Sequence, residues 1–144
     1  MRQLSSMILD PLQGHPDEAK RKRIDDADAR ETIKELAQLD GAFVVSNAGV
    51  MLSAARYIDA ASDSLSLPLG LGSRHMAAAP VSSYTGAVAI VVSESSMVRM
   101  FDDGDLILEI VPELWLLSSG YSTKLPGEVW ASSLDNVTVL RRAE

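Results

Sequence analysis

The chain has 144 residues, of which 47% are hydrophobic, and a formal net charge of −7. This length and composition predict one folded domain with its own core, and the absence of cysteine excludes disulfides, cysteine-ligated zinc and a cysteine nucleophile. The acidic balance argues against nucleic acid as a partner, and two histidines are too few for an all-histidine metal site.

The sequence shows no pattern of a signal peptide or of a membrane-spanning helix. The first residues lack the charged segment followed by an apolar segment that marks a signal peptide. No apolar run approaches the roughly 20 residues that a membrane-spanning helix needs. We therefore expect a cytoplasmic protein without a membrane partner.

Two helices are predicted before the first strand, within residues 1–38. In the first, Leu4, Met7 and Ile8 share one side, and Pro11 and Gly14 stop the helix. The second begins at Pro16, which suits a first helical position, and carries a modest apolar stripe. The stripe consists of Ile24, Ala27, Ile33, Leu36 and Ala37. The basic run KRKR (20–23) is interpreted as part of a solvated charged face.

The hydrophobic period then changes to that of strands. GAFVVS (41–46) and VMLSAARYI (50–58) are predicted strands, and NAG (47–49) joins them as a hairpin turn. A long loop follows, and loops of this length are often functional. A short helix is expected from Ser73 to about Tyr84, broken or kinked at Pro80.

The remainder of the chain is predicted to be rich in strands. AVAIVVS (87–93) reads as a buried strand, and SMVRMF (96–101) and DLILEIV (105–111) bracket the hairpin turn DDG (102–104). Further strands are expected near EVWAS (128–132) and NVTVLRR (136–142).

These elements predict an α/β (α+β) fold with a mixed central sheet flanked by helices. The expected organisation is a single domain, 1–144. It would contain N-terminal helices (1–38), a central core (39–110) and a β-rich extension (111–144).

Three short clusters could carry chemistry. In DGA (40–42), a carboxylate precedes a glycine that lets a ligand approach the backbone closely. In GLGSRHMAA (70–78), Ser73 suits a helix N-cap, the helix start and Arg74 suit phosphate, and His75 suits a metal or a phosphate. In VVSE (91–94), Ser93 and Glu94 follow a strand directly. Taken singly, DGA is a common turn pair, the second cluster is equally compatible with a plain capped helix, and VVSE fits a polar turn better than a site. There is no P-loop lysine motif and no serine-hydrolase elbow.

In this order, the three clusters resemble the diadenylate cyclase (DAC, DisA_N) domain family. Its hallmarks are a DGA motif, a G-T-R-H-R-A-A motif and a strand closed by Ser-Glu. SAARYI (53–58) is also similar to the family's second-strand segment, which lies against adenine. The resemblance covers roughly residues 31–110 and implies an enzyme that joins two ATP molecules into cyclic di-AMP.

The resemblance implies a role for each matching residue. Asp40, Arg74 and Glu94 would be catalytic, and Asp40, His75 and Glu94 would hold Mn²⁺ or Mg²⁺. The residues implied to contact ATP are Gly41, Ala42, Tyr57, Ile58, Gly72, Ser73, Arg74, His75 and Ser93. One chain would hold one ATP, so two chains must meet face to face in a homodimer or a larger homo-oligomer.

Two positions depart from the family pattern. The family's threonine is Ser73 here, which keeps the hydroxyl, and the second arginine of R-H-R is Met76, which loses a charge. Two alternatives therefore stay open. One is a nucleotide-binding module, for ATP or cyclic di-AMP, that has lost catalysis. The other is a structural or assembly domain whose three clusters are only turns and caps.

Overall fold

A computed structural model describes residues 5–7, 22–37, 41–59, 70–117 and 121–143. The chain divides into two compact units, Met1–Asp59 and Ala60–Glu144, and each contains a β-sheet. Within the described ranges, none of the helices has the length and apolar character needed to cross a bilayer. The domain boundaries predicted from the sequence stay predictions.

The first unit contains a three-stranded antiparallel sheet. Its strands are β1 (Ser5–Met7), β2 (Ala42–Val45) and β3 (Met51–Ile58), in the order β1-β3-β2. The predicted hairpin is confirmed, since β2 and β3 pair across a turn in which the Ser46 amide donates to the Val50 carbonyl at 2.9 Å.

The helix predicted at the N-terminus is wrong for residues 5–7, which pair with β3. A short helix is marginal on its own, whereas pairing along β3 gives the backbone of this segment fixed hydrogen-bond partners. Leu4, Ile8, Pro11 and Gly14 lie outside the described residues.

The second predicted helix is shorter than expected. Helix α1 spans Ala29–Leu36, and residues 22–28 are not helical, while 16–21 lie outside the described residues. The Met51 amide donates to the Lys22 carbonyl at 2.9 Å, and the Ile24 amide donates to the Gly49 carbonyl at 2.9 Å. These bonds hold residues 22–24 against the hairpin turn, and turns at 24–25 and 27–28 lead into α1. Ile24, expected in an apolar stripe, is therefore 51% exposed.

The second unit contains a five-stranded antiparallel sheet with the order β4-β5-β6-β8-β7. Its elements are α2 (Ser73–Thr85), β4 (Ala89–Val92), β5 (Val98–Asp102), β6 (Asp105–Pro112), α3 (Glu113–Leu117), β7 (Val129–Leu134) and β8 (Val137–Arg142). Asp103 (φ 47°) and Gly104 (φ 85°) form the two-residue turn between β5 and β6, as expected from the sequence. The α+β class is confirmed, with the strands divided between two antiparallel sheets rather than joined in one mixed sheet.

Helix α2 packs on β4 and β5 and covers the main core of this unit. The core consists of Ala79, Val91, Phe101, Leu106 and Leu125. Pro80 lies inside the helix and is buried, yet the helix continues to Thr85. The helix start is thereby held at a fixed place beside the end of β4.

Strand β4 differs from its predicted burial. In the described part of the chain it pairs with β5 alone, at one end of the sheet. Val91 faces the core and is 6% exposed, but Ile90 and Val92 are 64% and 59% exposed. The prediction of a buried strand is wrong here because an edge strand with one covered face buries only alternate side chains.

Candidate nucleotide site

In the first unit, Gly41 and Ala42 lie against the backbone of β3. Gly41 has a φ of +110°, and a Cβ atom there would lie 2.7 Å from the carbonyl carbon of Ala55 and 2.8 Å from the amide nitrogen of Arg56. Ala42 pairs with Arg56. Only glycine therefore fits at position 41. Asp40, predicted to be catalytic, lies outside the described residues.

Strand β3 is irregular where it meets this glycine. Ala55 has a φ of +52°, and the register between β2 and β3 shifts between the Ala42–Arg56 and Val44–Ser53 pairs. Such bulges redirect neighbouring side chains and are frequent beside functional sites. Tyr57, two residues further along, is 57% exposed. The structure thus places Gly41 and Ala42 beside the SAARYI strand, while the ATP contacts of Tyr57 and Ile58 stay predictions.

In the second unit, α2 begins with an exposed turn. Gly72 is the N-cap residue and Ser73 is the first helical residue, with no side-chain capping bond, so the prediction of Ser73 as the N-cap is wrong. The first helical bonds are donated by the amides of His75 and Met76 to the Gly72 carbonyl, at 3.0 and 3.2 Å. The amides of Ser73 and Arg74 precede these bonds, and such groups at a helix start favour an anion.

Arg74 brings this turn to the end of β4. Its Nη1 donates to the Val92 carbonyl at 3.4 Å, and its Nη2 lies 3.9 Å from the Glu94 carboxylate. Both side chains are largely exposed, at 58% and 92%, so this ion pair is weak. Ser93 closes the next turn, because its hydroxyl accepts from the Met97 amide at 3.2 Å. Two of the three predicted clusters are therefore neighbours.

Unlike Arg74 and Glu94, which are exposed, His75 points into the protein. It is 5% exposed, and its ring meets Phe101 edge-on at a centroid distance of 6.2 Å. Its Nε2 lies 3.2 Å from Nη1 of Arg99, and its Nδ1 is buried without a hydrogen-bond partner. Burial, and then the positive charge of Arg99, lower the pKa of His75 below its ordinary value.

The sequence reasoning missed the buried ion pair behind His75. Arg99 Nε donates to Glu109 Oε1 at 2.7 Å, and the two side chains are 5% and 1% exposed. The two residues face each other across β5 and β6. The pair could have been found in the sequence, because Arg99 and Glu109 carry opposite charges within two apolar strands, on either side of the DDG turn.

The second carboxylate oxygen of Glu109 is also fully engaged. It accepts hydrogen bonds from the hydroxyls of Tyr121 and Thr123 and from the Lys124 amide. Burial by itself would raise the pKa of Glu109, but the hydrogen bonds from Thr123, Arg99 and Lys124 outweigh it and lower that pKa. Burial, followed by the Glu109 charge, raises the pKa of Tyr121 to about 12.

The described residues fit a divalent metal only in part. No group of three or more histidine, aspartate or glutamate side chains in the described ranges could hold a metal ion. Glu94 offers an exposed carboxylate, which suits a site completed by substrate phosphates. His75 does not fit as a ligand in this arrangement, because one ring nitrogen is bound by Arg99 and the other is buried.

Comparison with known families connects this geometry to a nucleotide. A family model described as DisA bacterial checkpoint controller nucleotide-binding (DAC) matches residues 16–106, which is more than half of the chain. The chain belongs to the DAC family. The match includes DGA, the start of α2 and the end of β4, and it confirms the resemblance that the motifs indicate.

Two curated relatives are similar to this DAC chain. The diadenylate cyclase of Methanocaldococcus jannaschii is 40% identical over 112 residues, which are 77% of this chain and 34% of the relative. The diadenylate cyclase of Haloferax volcanii is 42% identical over 106 residues, which are 73% of this chain and 39% of the relative. The chain thus spans little more than a third of the relatives that it matches. No solved structure matches it significantly.

Membership of the DAC family does not assign the individual residues. The roles of Arg74, Glu94 and Ser93 stay predictions, although the structure places the three within one small region. Residues 107–144, which supply Glu109 and its hydrogen-bond donors Tyr121, Thr123 and Lys124, lie beyond the family match.

Proposed function

We propose that the protein is a diadenylate cyclase, which converts two ATP molecules into cyclic di-AMP and two pyrophosphates. The observation that carries this proposal is the DAC family match, which spans both motif-bearing regions. The names of the two relatives give the reaction.

The proposed reaction consists of two equivalent displacements. The 3′-oxygen of one ATP attacks the α-phosphorus of the other, and the bond from that phosphorus to the bridging oxygen of the β-phosphate breaks. Pyrophosphate leaves, and the proton of the hydroxyl passes to a base, for which Asp40 is the candidate. The second displacement repeats the first with the two nucleotides exchanged. Such a transfer depends on positioning and charge stabilisation more than on covalent catalysis.

The start of α2 supplies the groups that would bind phosphate. The guanidinium of Arg74 is held only by a 3.4 Å bond to a carbonyl and a 3.9 Å ion pair, so a phosphate oxygen can replace both contacts. The amides ahead of the helical ladder add further donors. A Cβ atom at Gly72 would meet nothing within 4 Å, so the backbone is open to a ligand here. Together these donors would stabilise the charge on the leaving pyrophosphate.

In the first unit, the close packing of Gly41 on β3 would present the backbone of Gly41 and Ala42 to the ribose. The exposed ring of Tyr57 would offer a surface for the adenine. Glu94 and Asp40 are each candidate ligands for Mn²⁺ or Mg²⁺, which would also bind the phosphates and supply positive charge against the triphosphate.

The direct test is to incubate the purified protein with ATP and Mn²⁺ and to separate the products by liquid chromatography with mass detection. Cyclic di-AMP with pyrophosphate in a 1:2 ratio is the expected result. Unchanged ATP in the presence of folded, ATP-bound protein would reject the cyclase. It would favour the nucleotide-binding module that Met76 suggests.

Replacing Arg74 with methionine is expected to weaken nucleotide binding by about 10- to 150-fold, because hydrogen bonds to charged groups contribute about 1.5–3 kcal/mol. The measurement is calorimetric titration with 3′-deoxy-ATP, which lacks the attacking hydroxyl and cannot react. Arg142→Met is the matched control, since Arg142 is also partly exposed and pairs with Asp105 at 2.8 Å. Equal affinities in the Arg74 variant and the wild type would remove Arg74 from the phosphate site.

The rate per subunit is expected to fall as the protein is diluted below its dimerisation constant, because the two nucleotides are bound by different chains. Activity and mass would be measured on the same dilution series, the second by mass photometry. A rate per subunit that stays constant while the assembly dissociates would contradict the face-to-face arrangement.

A further inference from the structure

A buried polar chain runs from the start of α2 to the segment after α3. It connects His75 to Arg99 (3.2 Å), Arg99 to Glu109 (2.7 Å), and Glu109 to the amide of Lys124 (3.0 Å). His75, Arg99 and Glu109 are 5%, 4% and 0% exposed. A charged pair without water around it requires such complete hydrogen bonding, so its geometry is narrowly defined.

Arg99 determines how the His75 ring can be protonated. A guanidinium only donates hydrogen bonds, so Nε2 of His75 must be the acceptor in the 3.2 Å contact. The proton of the neutral ring then lies on Nδ1, since the hydrogen bond of one ring nitrogen sets the state of the other. Among the buried side-chain nitrogen and oxygen atoms of the described residues, Nδ1 of His75 is the one without a partner.

Glu109 fixes the orientation of Arg99 in turn. One carboxylate oxygen accepts from Arg99, and the other accepts from Tyr121 at 3.0 Å, from Thr123 and from the Lys124 amide. The orientation of the Arg99 guanidinium plane is thus fixed by a carboxylate whose other oxygen already accepts three hydrogen bonds. Glu109 in β6 and its donors at residues 121–124 all lie beyond the DAC family match.

We propose that Arg99, held by Glu109, is a positioning residue for the phosphate-binding turn, and that it keeps the His75 ring with its proton on Nδ1. This inference rests on the proposed function, in which the turn carrying Ser73 and Arg74 binds the triphosphate. Arg99 and Glu109 are too deeply buried to touch ATP themselves, so they act through His75 on the first turn of α2. A ring protonated on Nδ1 can donate to an anionic oxygen. It can ligate a metal only after losing that proton or its contact with Arg99.

The Arg99→Lys variant distinguishes a positioning role of Arg99 from a role in protein stability alone. Lysine keeps a positive charge for Glu109 but presents one compact ammonium in place of the planar fork, so it cannot serve both Glu109 and His75 as arginine does. The first measurement is the tautomer of His75 from its side-chain ¹⁵N chemical shifts. The chain has only two histidines, and His15→Gln leaves a single signal. We expect an Nδ1–H ring in the wild type and a mixture of tautomers in Arg99→Lys.

The second measurement is binding of 3′-deoxy-ATP to the same proteins. We expect Arg99→Lys to weaken binding by about 10- to 100-fold, which is typical for loss of a partner that orients a binding residue. Arg142→Lys, in the same sheet, is the matched control and should change neither the tautomer nor the affinity. Tyr121→Phe removes one hydrogen bond to Glu109 and provides a milder variant if Arg99→Lys does not fold. For Tyr121→Phe we expect a smaller shift of the His75 tautomer and a smaller loss of affinity, both in the same direction as in Arg99→Lys.

A proton on Nε2 in the wild type would overturn the proposal, and so would unchanged nucleotide affinity in variants whose tautomer has shifted. Neither measurement requires turnover. A protein that binds 3′-deoxy-ATP with these properties but makes no cyclic di-AMP would reject the cyclase and leave the role of Arg99 intact.

Discussion

Replacing Glu109 with glutamine is expected to lower the free energy of unfolding by about 3–5 kcal/mol, which is typical when one partner of a buried ion pair is removed. Arg99 would remain buried at 4% exposure without a counter-charge. Glutamine has one acceptor oxygen, yet Glu109 faces fixed donors on both sides, from Arg99 and from the Lys124 amide. At least one of these donors would lose its partner.

The measurement is urea unfolding followed by circular dichroism. Asp105→Asn is the matched control, because it removes the carboxylate of an exposed ion pair, with Arg142, in the same sheet. It should cost less than about 1 kcal/mol. A Glu109→Gln variant as stable as this control would show that the buried pair contributes little.

The pH dependence of stability gives an independent check. The pKa of Glu109 is lower in the folded protein than in the unfolded chain, where it is about 4.3. The stabilisation from Glu109 is therefore complete above that value and is lost as the pH falls further, through the folded pKa. Glu109→Gln should lack this component, so the stability difference between the two proteins should shrink with acidification below about pH 4.

Replacing Gly41 with alanine is expected to destabilise the first unit by about 2–5 kcal/mol, combining about 1–2 kcal/mol of backbone strain with about 1–3 kcal/mol of overpacking. The φ of +110° is unfavourable for alanine, and the new methyl group would lie 2.7–2.9 Å from backbone atoms of Ala55 and Arg56. Backbone atoms in a paired strand cannot move aside as a flexible side chain can. Nucleotide turnover should fall in parallel, because the segment that follows Asp40 would be displaced.

Gly127→Ala is the matched control for the strain component. Gly127 has a φ of +77°, but a Cβ atom there would meet nothing within 4 Å. It should therefore show the strain of about 1–2 kcal/mol without the clash. Both tryptophans lie in the second unit, so their fluorescence would not report on the first. Amide hydrogen exchange is therefore measured on β2 and β3 for Gly41→Ala and on β7 and β8 for Gly127→Ala. Unchanged protection of β2 and β3 in Gly41→Ala would contradict the close packing of Gly41 on β3.

Several elements could be predicted from the sequence because local chemistry fixes them. The turns at Asn47–Gly49 and Asp103–Gly104 contain residues that accept a positive φ, so both hairpins follow from a few neighbouring residues. The helix predicted from Ser73 to about Tyr84 is present from Ser73 to Thr85, although its N-cap is Gly72 and not Ser73. The DAC family follows from three short motifs in a fixed order, and the family match confirms it.

Other elements depend on partners that are distant in the chain, and the sequence did not predict these elements correctly. Residues 22–28 have the composition of a helix, but hydrogen bonds to Gly49 and Met51 tie residues 22–24 to the hairpin, and turns follow up to α1. The apolar run at 87–92 reads as buried, but its place at the end of the sheet exposes Ile90 and Val92.

The site shows the same division. The candidates for nucleotide binding could be proposed from the sequence, because the charge of Arg74, the hydroxyl of Ser73 and the bare backbone of Gly41 are local properties. Which of these groups a ligand can reach depends on the tertiary structure. Arg74 is exposed, whereas His75 points inward to Arg99. His75 and Arg99 are 24 residues apart in the chain, so the hydrogen bond between them depends on strand register and burial. Neither is set by the residues on each side of the histidine.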